Sequence, residues 1–530
     1  MSIKKKQIGL FSATAASVCC IIGSGWLFAS YYAAKSAGPG GAYIAWILTA
    51  LIISVMAIVM AEVATMYPMR GVTTRMSALS HNKTFGIFFA FSNWMGIVAV
   101  IPTEAQASIQ YLTSISEYAQ SNWMAHGSLT PEGLFIAFLL MILYLFINFF
   151  GIKIFSYINN SMTIIKFFVP LFTALVLFGS AFHPGNFTAY HNTWIPFGTG
   201  SIFTAIVAGG MIYAFNGFQI ALSFASEIKR PERNLPLAMF FSIVICLVIY
   251  LLLQTSFIGA LNPQEVVQKG WANLNFNSPF VQLMIPLGLN IMVMILYADA
   301  VVSPSGTGIA YLGGTSRMLY SMASEGQMPK YFAKLDPKYY FSRRAMFFNF
   351  ILASGLLLLF HSWAALMVLV TAFHVIGYMA APISLVALRR SEPDKKRPFK
   401  VPFAHIVAPI LFFVLTMLLV FVGYVDMMKL AWFMTILLAI FLVINSGKNH
   451  QYSIKDILST SLPMLIYLWI ITFLIGFGPQ VYKGHGVITD VVFYPLVFIT
   501  SIVFFHWFTH PKLVDLCNAL RKKDTIVLED

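Results

Sequence analysis

The sequence predicts an all-α polytopic membrane protein of about 14 transmembrane helices, built on a 5+5 inverted-repeat fold with broken helices 1 and 6. Three observations lead there. Of 530 residues, 59% are hydrophobic and only 10% charged, against about 25% charged in soluble domains. Apolar stretches near the ~20 residues that cross a bilayer recur along almost the whole chain. The first and sixth of them are interrupted by small or polar residues. A break at bilayer depth is tolerated only beside protein or a polar cavity. Matched breaks in two five-helix halves point to an inverted repeat with a ligand site between the halves.

The stretches run over 8–34, 42–66, 86–114, 134–150, 158–182, 200–224, 237–260, 280–322, 345–361, 364–388, 404–425, 430–446, 458–478 and 488–509. The eighth is long enough for two crossings and contains Pro304, Gly306 and Gly313-Gly314. Charge decides between one crossing and two. With one crossing and the N-terminus inside, 28 of the 33 Lys and Arg residues fall in inner loops and termini. Four (Lys35, Lys269, Lys429, Lys483) lie outside, and Lys166 is within a span. Splitting the stretch would move Arg317 to Arg344 outside and spoil this positive-inside bias. One span is therefore expected there, with both termini cytoplasmic and the protein multi-pass in the cytoplasmic (plasma) membrane.

The net charge of +14 is spread over short loops, which excludes a nucleic-acid face and leaves the lipid bilayer as the expected environment. Lys4-Lys5-Lys6 before an apolar run imitates a signal peptide, but the run continues through the first break, so an uncleaved first span is expected. The four cysteines (Cys19, Cys20, Cys246, Cys517) follow no disulfide or zinc spacing. No phosphate-cradling loop, HExxH or GxSxG pattern occurs in a suitable context, so neither an enzyme nor a metal or organic cofactor is expected.

The first break is Ile22-Gly23-Ser24-Gly25. N–H groups freed at the start of the half-helix that follows would favour an anion such as a carboxylate. The second lies at Tyr213-Ala214-Phe215-Asn216-Gly217-Phe218-Gln219, because Asn-Gly is a poor helix interior. A lone glycine in a membrane helix is usually a packing position; the pairing of the two breaks is what makes them a site.

Four ionisable residues lie within apolar stretches, where a charge costs at least ~2.5 kcal/mol at a helix centre. Lys166 is about ten residues into its span, ~15 Å deep. It reads either as a fixed cation held by backbone carbonyls or as an amine that exchanges a proton in each cycle. Glu104 follows Pro102 and is a candidate for lining the access route, orienting a substrate amine or carrying a proton. Asp299 precedes the hydroxyl-rich Ser303-Pro304-Ser305-Gly306-Thr307-Gly308 and could serve an ion. Glu62, near the inner interface, is expected to pair with a basic loop, and His374 to be a packing residue.

These residues resemble the amino acid–polyamine–organocation (APC) transporter superfamily. Ile22-Gly23-Ser24-Gly25 is similar to its first-span signature, and Glu227 to Pro236 to the basic motif after its sixth span. Arg317 to Pro329 resembles the inner end of the eighth span. Arg389-Arg390-Ser391-Glu392-Pro393 with Arg397-Pro398-Phe399-Lys400-Val401-Pro402 resembles the loop after the tenth. The resemblance implies a ten-helix transport core over 1–400 (repeats 1–184 and 185–400), four peripheral helices over 401–510 and a cytoplasmic tail over 511–530. It implies that Gly23, Ser24 and Gly25 offer N–H groups to a substrate carboxylate, that carbonyls around Ala214 to Asn216 receive the amino group, and that Tyr213 is an aromatic gate. Lys166 matches a fifth-span lysine that stands for a sodium ion in proton-coupled relatives. Gln219 departs from a glutamate that many relatives carry. The 303–308 segment resembles a subgroup associated with acidic amino acids.

The resulting expectation is an amino acid importer, driven by proton symport through alternating access, with H+ as the coupling ion and an acidic amino acid as the narrower substrate. The competing readings are an amino acid exchanger using the same site and a nutrient receptor on a transporter fold. The sequence is silent on oligomeric state.

Overall fold

Span one is cut in two. In the computed structural model, which describes residues 8–69, 72–149, 152–223, 225, 227–336, 341–445 and 452–521, α1 (Leu10–Ile21) ends at the first break and α2 (Gly25–Met66) begins directly after it. Of the basic residues used for orientation, Lys4, Lys5, Lys6, Arg70, Lys338, Lys448, Lys522 and Lys523 lie outside the described residues. The 42-residue α2 is two helices joined at Gly38, where φ is +70° and ψ −175°. A Cβ at that position would lie 2.5 Å from the Pro196 ring, so both the conformation and the close approach require glycine. The connector between spans one and two, placed at 35–41 by the apolar pattern, is therefore a kink in α2.

α3 (Val72–Ser80) leads to α4 (Lys83–Leu112), span three, which is N-capped by Asn82 accepting from the Phe85 N–H at 2.9 Å. α5 (Glu117–Asn122) and a hairpin of β1 (Met124–Ala125) and β2 (Ser128–Leu129) lead to α6 (Pro131–Phe149) and α7 (Ile152–Ser180), spans four and five. Span six is the most fragmented, running through α8 (Gly200–Ala208), α9 (Met211–Ala214) and α10 (Ile220–Ser223). α11 (Pro231–Ala260) is span seven. The short α12 (Pro263–Lys269) and α13 (Pro279–Met284) precede α14 (Asn290–Ser324), one continuous helix where the charge bias required one crossing. α15 (Arg343–Leu359) and α16 (Trp363–Ser391) complete the first ten spans. α17 (Ala404–Val422), α18 (Tyr424–Asn445), α19 (Ile454–Phe477) and α20 (Asp490–Phe508) follow, and α21 (Pro511–Arg521) lies beyond them. Among the described residues, ten helices are long and apolar enough to cross a membrane. The other four expected crossings fall on α7, on the 17-residue α15 and on the two interrupted spans.

The packing repeats itself when each span of the first half is exchanged for its counterpart five spans later. Span three packs on spans four, nine and ten (α4 on α6, α15 and α16). Span eight correspondingly packs on nine, four and five (α14 on α15, α6 and α7). Span seven meets α1 as α2, which carries the second half of span one and span two, meets α8 and α9, and the seven–five contact (α11 on α7) has its counterpart in two–ten, where Glu62 bonds Arg389. This is the signature of the inverted repeat, with broken spans one and six exchanging roles. The last four helices pack outside it, on α4, α8 and α16.

The face where spans two and ten end is fastened by buried polar contacts. Glu62 accepts from Arg389 Nε at 2.9 Å and Nη2 at 2.7 Å, and from the Val401 N–H at 2.6 Å. The expected pairing of Glu62 with a basic loop is thus present. Tyr67 donates to Glu392 at 2.7 Å, and Arg521 on α21 approaches the same carboxylate at 3.6 Å.

Candidate functional site

The two breaks face each other at backbone contact. A Cβ on Gly25 would lie 3.0 Å from Ala214 Cα, and one on Gly217 would lie 2.6 Å from the Cys20 carbonyl. Gly217 also has φ +115°, so it is glycine for approach and conformation together. The second break is longer than the sequence suggested. It opens at Gly209-Gly210, re-forms one turn at α9, and opens again through 215–219. Tyr250 of α11 ties the breaks together, donating to the Ala214 carbonyl at 2.7 Å and reaching the Ile21 carbonyl at 3.4 Å. Gln219 fastens the second break locally. Its amide donates to Asn216 Oδ1 at 3.0 Å and its oxygen accepts from the Gly217 N–H at 3.1 Å. A glutamate could do the second but not the first.

The N–H that opens the half-helix after the first break is already engaged. Ser24 N donates to Glu104 Oε2 at 3.0 Å, and Tyr213 OH donates to Glu104 Oε1 at 2.8 Å. With the tyrosine proton so committed, the 3.1 Å contact between Ser24 Oγ and Tyr213 OH has serine as donor. Trp363 Nε1 completes the chain by donating to Ser24 Oγ at 3.1 Å. The result is a directional relay, Trp363 to Ser24 to Tyr213 to Glu104, ending on a buried carboxylate. Tyr213 and Trp363 also stack edge to face with centroids 5.7 Å apart.

Lys166 stands beside this relay. It donates to Thr307 Oγ1 at 2.6 Å and to the Cys19 carbonyl at 3.4 Å, so span five holds both span eight and the first half of span one. Between the breaks lies a cavity of about 10 Å³ lined by Gly23, Gly25, Glu104, Tyr213, Asn216 and Thr307, among others. That is room for about one water, so any larger ligand requires the helices around it to separate. Among the described residues, no group of three His, Cys, Asp or Glu side chains is placed to hold a metal ion.

Gly23, Ser24, Gly25, Tyr213, Ala214, Asn216 and Gly217 therefore meet in one place, with Glu104 among them and Lys166 beside them, bonded to Thr307. Phe215 points away to pack on Trp46 and Tyr250, and Ile22 is buried in the apolar core. Asp299 is separate: it lies two helical turns before Thr307 on α14, roughly 12 Å by helical rise. Its carboxylate oxygens are buried without a hydrogen-bond partner, near the Trp26 indole. His374 is enclosed and its Nδ1 faces the Val370 carbonyl at 2.8 Å, as a packing residue would be. The residues the sequence did not reveal are Tyr250, Trp363, Thr307 and Tyr311, the last of which also lines the cavity. The hydroxyl-rich 303–308 segment was the one signal that touched any of them.

The chain matches the family described as amino acid permease over residues 8–444. It is 36% identical over 515 residues to the glutamate/serine transporter AimA of Bacillus subtilis, covering 95% of this chain and 93% of that protein. It is 30% identical over 516 residues to the aspartate-proton symporter of the same organism, covering 95% and 96%. A crystal structure of a mutant manganese transporter from Eremococcus coleocola superposes with a TM-score of 0.51 at 12% identity, covering 96% of this chain and 97% of that one. At that identity it supports the fold alone.

Proposed function

The chain belongs to the amino acid permease family, and from that premise we propose that it imports amino acids across the cytoplasmic membrane by proton symport through alternating access. It is an integral multi-pass membrane protein and, as its family implies, a transporter rather than an enzyme. The observation that carries the proposal is the meeting of two helix breaks around a small void that Glu104, Tyr213, Asn216 and Thr307 help to line. A half-helix N-terminus at Gly23–Gly25 offers N–H groups to the substrate carboxylate, and the opposing carbonyls of 214–216 suit its amino group. Tyr213, stacked on Trp363, is placed to gate the route to that void.

Lys166 is the proposed coupling residue, with Glu104 and Asp299 as further proton carriers. Its hydrogen bonds reach the first half of span one and span eight, elements that must part for the cavity to grow, so separation would strip the ammonium of its acceptors. The printed activities of the two Bacillus relatives support glutamate, serine and aspartate as the first substrates to try. The excess of basic residues in the loops that the alternation of spans puts on one side supports termini on the cytoplasmic side.

The test is uptake of radiolabelled glutamate, aspartate and serine into proteoliposomes, with and without an imposed pH gradient, external sodium and internal substrate. Sodium-independent accumulation driven by the pH gradient is expected. Uptake that occurs only against internal substrate would replace symport by exchange. Saturable binding without uptake would make the protein a receptor.

A further inference from the structure

We propose that Glu104 is a tethered occupant of the substrate-carboxylate subsite, an internal competitor that the substrate must displace. The proposal rests on the reading that the first break receives a carboxylate. A carboxylate is already bound where that reading puts one. Glu104 Oε2 takes the Ser24 N–H at 3.0 Å at the head of a long helix, and Oε1 takes the Tyr213 hydroxyl at 2.8 Å. Ser24 and Trp363 complete the donor chain behind it. Gly23 admits this side chain, since a Cβ there would lie 2.8 Å from Glu104 Oε1.

A second carboxylate does not fit beside the first. The cavity volume is about 10 Å³, and two like charges on one donor set repel. The substrate carboxylate therefore enters only as Glu104 leaves. Pro102, two residues earlier on α4, removes a helix hydrogen bond and loosens the backbone that carries Glu104. A displaced Glu104 loses its N–H and hydroxyl donors and must take a proton or another donor. Where it takes a proton, substrate arrival and proton uptake are two halves of one exchange. The titratable groups facing Glu104 are Lys166 on α7, Tyr213 on α9, Tyr144 on α6, Tyr250 on α11, Tyr311 on α14 and Cys20 on α1. Lys166 alone among them attracts the carboxylate in its charged form.

The test uses the full chain, wild type, Glu104→Gln and Glu104→Ala, purified in lipid nanodiscs. The first probe is sodium acetate, read by thermal shift and by tryptophan fluorescence, since Trp363 bonds to Ser24. Acetate should bind Glu104→Ala and leave the wild type unmoved, because the tether presents its own carboxylate at far higher local concentration. The second probe is radiolabelled L-glutamate and L-serine, which should bind Glu104→Ala about tenfold or more tightly than wild type, with Glu104→Gln in between. Acetate that acts on neither protein, or amino acid binding that weakens in both variants, would overturn the proposal. If the alanine variant does not fold, Glu104→Gln carries the test, and affinity no higher than wild type overturns it. Acetate binding to Glu104→Ala with no amino acid bound by any form would uphold the occupant and reject amino acids as substrates.

Discussion

Lys166 on α7 donates to the Thr307 hydroxyl on α14 at 2.6 Å, joining span five to its neighbour in the opposite repeat. Thr307 in turn points its proton at the Ser303 carbonyl, 3.4 Å away, which leaves its lone pairs for the ammonium. A hydrogen bond to a charged group is worth about 1.5–3 kcal/mol, or roughly tenfold to a hundredfold in an equilibrium. Lys166→Ala is expected to abolish accumulation driven by a pH gradient while leaving counterflow exchange measurable. Thr307→Val should cut concentrative uptake by about tenfold or more, and Thr307→Ser should restore it. Full accumulation by Lys166→Ala in proteoliposomes would make the charge structural.

The contact between the breaks sets a second expectation. Gly217 combines φ +115° with a Cβ position 2.6 Å from the Cys20 carbonyl, whereas nothing lies within 4 Å of a Cβ on Gly314. Gly217→Ala must strain the backbone and push two breaks apart, so it should abolish uptake and lower the melting temperature. Gly25→Val should abolish uptake too, because Ala214 Cα blocks its first carbon at 3.0 Å, and Gly23→Val should do the same through Glu104. Gly314→Ala is the control and should behave as wild type. Equal uptake by Gly217→Ala and the control would remove the facing breaks from the mechanism.

How much of this could be read beforehand depends on whether a signal is local. Gly23-Ser24-Gly25 announces itself because three helix-weak residues interrupt an apolar run, and the chain does break there. The span-eight ambiguity was resolved by loop charge, and α14 is one helix. By contrast, Ser24 and Glu104 are 80 residues apart, and nothing near either one says that the acid would take the N–H that opens the half-helix. Tyr250 and Trp363 are single aromatics in a chain with 23 Tyr, 10 Trp and 49 Phe. Only the fold shows which of them turns a polar atom to the breaks. Gly209-Gly210 was legible in principle, but a glycine pair in a membrane helix reads first as close packing.

A pH dependence of stability should arise at His81, between α3 and α4. Its Nε2 faces the Phe508 carbonyl at 2.8 Å and its Nδ1 the Ser80 hydroxyl at 2.8 Å, with the ring stacked on Phe85. Burial pushes its pKa down to about 4, the Phe508 carbonyl opposes this, and the charge of Arg521 adds to it. A histidine held neutral in the fold contributes stability that is complete above its unfolded pKa near 6.5 and is lost as pH falls towards 4. The loss should reach about 2 kcal/mol between pH 7 and 5. Melting temperature measured across that range should fall in the wild type and fall less in His81→Gln. Parallel curves would place the acid sensitivity elsewhere.

The last expectation concerns the fastening of spans two and ten. Glu62 is buried and accepts three hydrogen bonds, two from Arg389 and one from the Val401 N–H, with Arg397 at 3.6 Å. Arg389 is part exposed, so its own hydration is not wholly lost, but the carboxylate has no solvent to fall back on. Removing one member leaves the other charge stranded, which for buried pairs costs about 3–5 kcal/mol. Arg389→Ala should therefore destabilise the protein by roughly 3 kcal/mol, the low end of that range because the Val401 N–H and the more distant Arg397 still face the carboxylate. Glu62→Gln keeps the shape and the acceptor for Val401 and should cost less. The double variant should be more stable than the sum of the two losses predicts, because the second substitution removes the stranded partner. Denaturation of all four forms in detergent closes the cycle, and strictly additive losses would show that Glu62 and Arg389 do not depend on each other.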